Sequence, residues 1–339
     1  MEWPDSVDEI IGGDQVVGLA YVTPARGVVL LPLTNMALRD RAAGTIEPVS
    51  SSVGVWRKLE HIWRNPQVAV VYHTRLHGFS DRPEYVLVQG RASLSPVEET
   101  DWVERHLDNW ERFAGPVPRG YLAERWLRAY HWRVGVSVAV ERLVVWPDLA
   151  CAGAPAVHGA PAVDGAPAVH GALAVEGAPA VHGAPLPPDP PPQAPPAKGT
   201  GPRIRHRRAA RRAARLPHVL LGWVGEDGFP VVVPVTVAGA EAGGIVVETA
   251  AALPPGGRRA GLLAHSFARY TFGQHKRAHT GWLEPDPAAG RALYAPHTES
   301  GYRFPESRLV FRIVSGAATT LGLRQARRAG FLPARGGAR

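Results

Sequence analysis

The sequence predicts a mainly β chain with helices (α+β), in which two small antiparallel barrels lie on one polypeptide and are joined by a disordered Ala/Pro/Gly linker. Three observations predict this. A six-residue repeat divides the chain, the parts on either side of it begin with matching hairpins, and short strands broken by turns outnumber the helices.

The divide lies at residues 153–188, which read GAPAVH, GAPAVD, GAPAVH, GALAVE, GAPAVH and GAPLPP. Proline in nearly every repeat removes sheet donors, and each turn offers only Val as a sizeable apolar residue. A hexapeptide solenoid is therefore rejected in favour of an extended spacer of up to ~3.1 Å per residue. Pro-rich sequence continues to Pro196 and ends in Lys198–Pro202. The boundaries that follow are 1–150 for the first barrel, 151–202 for the linker and 203–334 for the second barrel. His158, His170 and His182 recur in the spacer, but a twelve-residue spacing on an unfolded chain does not make a metal site.

Composition sets the class. With 339 residues, 45% of them apolar, the chain can bury two cores without a metal or a membrane to help. No apolar run reaches the roughly 18 residues of a membrane span, and the opening Met-Glu-Trp-Pro-Asp lacks the order of a signal peptide. Cys151 is the sole cysteine, which excludes an intramolecular disulfide and a cysteine-based zinc centre. A soluble cytoplasmic protein is expected. The net charge of +8 is nearly all Arg, with Lys only at Lys58, Lys198 and Lys276. Seven arginines fall between Arg203 and Arg215. No base-reading module accompanies them, so this run reads as a solvated helical entry to the second barrel rather than a grip on nucleic acid.

Within the first part the elements follow in order. A short helix leads into a hairpin, Val16–Thr23 and Gly27–Leu33. A strand near Gly44–Ser51, a helix at Val55–Arg64, and strands Val68–Thr74 and Tyr85–Leu94 come next. Two helices, Pro96–Phe113 and Tyr121–Trp132, precede a closing strand at Gly135–Val145. Trp102, His106 and Trp110 stand at i, i+4, i+8, a core-facing or interface stripe rather than a cofactor box. At a constant offset of 202, Leu19–Thr34 aligns without gaps to Leu221–Thr236, with identities at Leu19/Leu221, Val22/Val224, Val29/Val231, Pro32/Pro234 and Thr34/Thr236. The second hairpin, His218–Val224 and Phe229–Val237, carries an Asp-Gly turn. Duplication explains this match, and continuing the offset puts Arg57 on Arg259.

The stretch Ser50–Val71 carries the chemistry. Three serines end a strand, Arg57 and Lys58 open a helix, and Asn65-Pro66 closes it before a β-branched strand. Later, Gly90-Arg91 sits in the strand Tyr85–Leu94. This pattern resembles the flavin-binding split-barrel family typified by pyridoxamine 5′-phosphate oxidase. The resemblance implies two split barrels forming an intrachain pseudo-dimer, with FMN bound between them. Hydroxyls at a helix start and paired cations suit a phosphate dianion. His61 stands where the family helix often carries Asn, and Arg26-Gly-Val28-Val-Leu30 resembles a family phosphate strand only loosely. In the second half, His265, Arg269, Tyr270, Gln274, His275, Lys276, His279, Thr280 and Trp282 form a polar cluster suited to an anionic ligand.

The cofactor-binding residues expected are thus Ser50, Ser51, Ser52, Arg57, Lys58 and His61, with Arg259, Gln274, Lys276 and Trp282 from the second half. His279 is the candidate acid or base, and no metal is expected. The function implied is a flavin-dependent oxidoreductase acting on a small molecule. The alternative is a non-catalytic binding protein for deazaflavin or haem, or a ligand sensor. Neither a membrane nor nucleic acid is an expected partner; a further homodimer is left open.

Overall fold

The computed structural model describes residues 2–159 and 190–332; the expected disorder of the repeat, with His170 and His182, falls outside the described residues. The first half runs α1 (Asp5–Gly13), β1 (Val16–Val22), β2 (Val28–Thr34), β3 (Leu38–Asp40), β4 (Thr45–Ser52), α2 (Trp56–Arg64), β5 (Gln67–Tyr72), β6 (Tyr85–Leu94), α3 (Trp102–Arg105), α4 (Leu107–Ala114), α5 (Tyr121–His131), β7 (Arg133–Trp146) and β8 (Ala156–Gly159). The second runs α6 (His206–Ala213), β9 (His218–Val224), β10 (Pro230–Pro234), β11 (Thr236–Glu241), β12 (Gly244–Glu248), β13 (Arg258–Ser266), β14 (His275–Asp286), β15 (Arg291–Arg303) and α7 (Arg308–Arg328).

Each half is one antiparallel half-barrel sheet, and the two share a strand order position for position. The first is β2-β1-β5-β6-β7-β4-β3, with β8 on the free side of β7; the second is β10-β9-β13-β14-β15-β12-β11. The likeness extends to irregularities. The β6–β7 ladder shifts register between Gln89 and Gly90, and the β14–β15 ladder between Thr280 and Gly281. In both, a Cβ on the glycine would overlap a carbonyl oxygen, that of Ala139 or of Ala295. Only glycine lets the backbones approach so closely at the bulge.

Local chemistry accounts for the element ends. Asp5 and Asp8 sit in the first turn of α1, where the helix dipole favours acid. Ser52 ends β4, and its hydroxyl accepts from the Gly54 N–H at 3.2 Å, opening the short 3-10 turn that feeds α2. Asn65-Pro66 stops α2, and the Asn65 side chain then accepts from the Gln67 N–H at 3.1 Å. The second hairpin turns at Gly228, φ 85°, with Asp227 accepting from the Phe229 N–H at 3.1 Å. The helix expected over Pro96–Phe113 is shorter and broken. Helix starts only at Trp102, and His106 (φ −121°, ψ 34°) separates α3 from α4. The break leaves Trp102 and Trp110 buried with Met36 and Val103, as the stripe requires.

β1 shows how the halves meet. Its seven residues are buried without exception, because each face of the strand has a core. Val17, Leu19 and Tyr21 pack inside the first barrel, whereas Ala20 and Val22 join a cluster that also holds Leu220, Trp223, Val232 and Leu262 of the second half. A near-continuous apolar run is the sequence consequence of such two-sided burial. Polar contacts fix the docking. Tyr85 Oη donates to Val232 O at 2.9 Å, Gln89 Nε2 to Pro230 O at 2.7 Å, and Arg142 pairs with Asp227 at 2.5 Å. The stretch read as linker is attached to the folded parts at both ends. Val157 and His158 pair with β7, and Gln193 N–H donates to Gly257 O at 2.9 Å.

Candidate anion site between the two halves

Three cations converge where α2 and the start of β7 face β14. Lys58 is only 5% exposed and Lys276 only 7%. Arg133 lies with its guanidinium over the rings of Tyr130 (4.6 Å) and Trp110 (4.8 Å), and its Nε is buried without a hydrogen-bond partner. Lys58 is pushed down to about 7 by burial, and then by the charges of Arg133 and Lys276. Burial alone lowers Lys276 to about 8, and burial also lowers Arg133. No carboxylate acts on any of the three. Enclosed cations without a counter-charge are expensive, so the arrangement calls for an anion from outside the chain.

Neutral donors line the same place. Ser50, at the end of β4, pairs in register with Gly135 two residues beyond Arg133, and its hydroxyl is buried with no partner. Ser51 and Ser52 are buried beside it, but Ser52 is committed to its turn and to Ala129 O at 2.9 Å. From the second half, Tyr302 Oη donates to Gln274 Oε1 at 2.5 Å, and Gln274 Nε2 donates to Pro32 O at 3.4 Å. The Tyr302 ring lies 5.1 Å beneath the Lys276 ammonium. The set has the chemistry of a phosphate monoester site: two ammoniums, a guanidinium and a free hydroxyl.

The other expected residues lie elsewhere. Arg57 points to solvent, 5.8 Å over the Trp56 ring, because it stands on the outer face of α2 while Lys58 turns inward. His61 stacks on Tyr21, ring centroids 5.7 Å apart. Arg259 is not the counterpart of Arg57. It lies on β13, donates to Gln193 Oε1 at 3.0 Å through its backbone, and stands 5.9 Å over the ring of Trp282. Trp282 is six residues along β14 from Lys276, on the order of 20 Å away at strand rise. His279 accepts no role beside Lys276 either. It faces the other side of β14, with Nδ1 on Thr298 O at 3.1 Å. His275 and His279 also lie on this strand, not on a helix, and among the described residues no group of three His, Cys, Asp or Glu is placed to hold a metal. Arg133 escaped the sequence reading altogether. A charged residue where a strand begins looks like a solvated edge; its position opposite Ser52 in the ladder is what marks it.

Registers of the two sheets locate the counterpart of this site. Ser50↔Gly135 matches Glu248↔Arg291, and Tyr72↔Val86 matches Ala264↔Arg277. Ser50, Arg133 and Lys276 therefore correspond to Glu248, Ala289 and Tyr85. Lys58 has no counterpart, since residues 53–66 lie between the matched strands in the first half but only 251–258 in the second. A cavity of about 730 Å³ opens there, lined by Glu248, Thr249, Ala289, His73 and His218 among others, and by no Lys or Arg. The same registers pair His73 with His265, and these two meet directly, Nε2 to Nε2 at 2.8 Å. They mark the approximate two-fold axis between the halves. His73 Nδ1 lies 3.3 Å from the carbonyl of Val71, where it can only donate. His73 Nε2 therefore accepts and His265 Nε2 donates. Burial holds His73 down at about 3 and His265 well below the usual range.

No family model matches the chain, and no curated protein matches it either. Solved structures do. A putative pyridoxamine 5′-phosphate oxidase from Listeria innocua is similar at 20% identity over 42% of this chain and 95% of its own, with a TM-score of 0.29. A pyridoxamine 5′-phosphate oxidase-related, FMN binding protein from Nostoc punctiforme is similar at 10% identity over 44% and 82%, TM-score 0.30. An F420 reductase is similar at 17% identity over 42% and 98%, TM-score 0.31. What resembles this chain among solved structures is thus pyridoxamine 5′-phosphate oxidase-like proteins, each matched over less than half of it.

Proposed function

We propose that this chain binds one flavin mononucleotide between its two halves and is a flavin-dependent oxidoreductase acting on a small molecule. The observation that carries the reading is the group formed by two buried lysines, Lys58 and Lys276, and the half-buried Arg133, drawn from both halves, without a carboxylate. A flavin phosphate carries close to two negative charges and would offset them. The Ser50 hydroxyl would donate to a phosphate oxygen, and Tyr302 with Gln274 would hold Lys276 in place. When bound, the isoalloxazine supplies the electron transfer, and the chain's part is to fix it and exclude water. The counterpart positions, Glu248, Ala289 and Tyr85, carry no cation, and the cavity there is unsuited to a phosphate, which supports a single site per chain. The shared strand order and bulges support descent of both halves from one barrel.

Absorbance tests the reading. Protein mixed with FMN and desalted should retain the flavin spectrum at one equivalent per chain, and a nicotinamide donor should bleach it. A spectrum of deazaflavin or haem on the purified protein would favour the binding-protein alternative. No retained chromophore of any kind would end both.

A further inference from the structure

A second concentration of positive charge lies on the far side of β14 and has no part in the cleft. His275 and Arg277 flank Lys276 in sequence, so the strand's alternation turns them to the opposite face. There they line a cavity of about 400 Å³ with Arg212 at the end of α6, Arg215 in the turn beyond it, Arg303 from β15 and Glu306. Four guanidiniums thus meet two carboxylates. Glu299 is shared between Arg212 (3.4 Å) and Arg277 (3.3 Å), and Glu306 reaches Arg303 only at 3.8 Å. Two nitrogens are buried there with no partner, the donor Arg277 Nε and the ring nitrogen His275 Nε2. The imidazole is lowered by burial and by three of these arginines, Arg277, Arg303 and Arg212. The arginine run is thereby divided. Ala209, Ala210 and Ala213 seat α6 on the barrel, Arg207, Arg208 and Arg211 face water, and Arg212 with Arg215 turn to the cavity.

We infer that this cavity is a second anion site, built for a small ligand bearing a diphosphate or an equivalent pair of anionic groups. The excess of about two positive charges and a volume larger than one phosphate set that class. Guanidiniums in a concave site hold phosphate oxygens in pairs, and the low-dielectric wall strengthens each contact. An extended nucleic acid would instead use the outward arginines, which stand on an open helix face.

The test is calorimetric titration of inorganic pyrophosphate into the full chain at fixed ionic strength. Saturable binding is expected, weakened at least tenfold by Arg303→Gln or Arg215→Gln. Both residues are exposed enough that neither change should disturb folding, which a melting curve verifies. Arg207→Gln and Arg208→Gln remove equal charge from the outward face of α6 and should alter binding less than twofold. Lys58→Met, in the interface cleft, should leave it intact. Loss in Lys58→Met would place the pyrophosphate in the cleft and overturn this inference while leaving the flavin site standing. Equal weakening by all four arginine changes, or no saturable binding, would also overturn it. So would an oligonucleotide competing for the site through Arg207 and Arg208.

Discussion

At the scale of single residues, Lys58 carries the most consequence. Its ammonium is enclosed beside Arg133 and Lys276 with nothing to offset it. Replacing it with Met, of similar length and apolar, should stabilise the ligand-free protein by about 1–3 kcal/mol, as removal of uncompensated buried charge commonly does. The same change should weaken FMN binding at least tenfold, so melting temperature and affinity should move in opposite directions. The proton balance gives a second expectation. With Lys58 at about 7 and Lys276 at about 8, part of the charge is absent from the free site at pH 8. A bound phosphate favours the charged forms, so binding at pH 8 should take up protons and affinity should fall as pH rises above 7. Titrations in two buffers of different ionisation enthalpy read that uptake directly. Lys58 was legible from its place after Arg57 at a helix start. Lys276 was legible only as a member of a polar cluster, because its meeting with Lys58 depends on how the halves dock.

At the scale of elements, the bulges and the insertion of α2 matter most. Gly90→Ala and Gly281→Ala should each cost about 2 kcal/mol or more, since the added carbon meets backbone rather than a movable side chain. Chemical denaturation would measure both; a neutral effect would mean the bulges are loosely held. The strands and hairpins were readable from alternation and turn residues, and α2 from its Asn-Pro stop. The equivalence of Arg57 and Arg259 was not. The offset of 202 holds through β1, β2, β9 and β10, but β5 and β13 match at 192. The second half lacks residues where α2 lies, so a constant offset carried past that point sets a helix residue against a strand residue. The break at His106 was hidden for a different reason: the period of the stripe reports which side chains are buried, not whether the backbone between them is continuous.

At the scale of the whole molecule, the approximate two-fold axis passes where His73 meets His265. Both imidazoles are neutral in the fold and would titrate near 6.5 when unfolded. The unfolded chain therefore binds more protons below that pH. Stability should be complete above about 6.5 and should fall progressively as pH drops towards about 3. Replacing both histidines with Leu should flatten this part of the acid limb, measured by urea midpoints from pH 7 to 4. That the halves would pair was expected from the matched hairpins and the family likeness. That only one of the two equivalent clefts carries cations was not readable, because Glu248, Ala289 and Tyr85 take on meaning only when strand registers are superimposed.

One anionic cofactor held between the halves by cations from both should leave a clear stoichiometry and a clear dependence on either lysine. The most direct measurement is a fluorescence titration of FMN into the wild type, Lys58→Met and Lys276→Met. One equivalent bound per chain, with affinity reduced at least tenfold by either change, is the result expected. Two equivalents per chain, or binding indifferent to both changes, would contradict it.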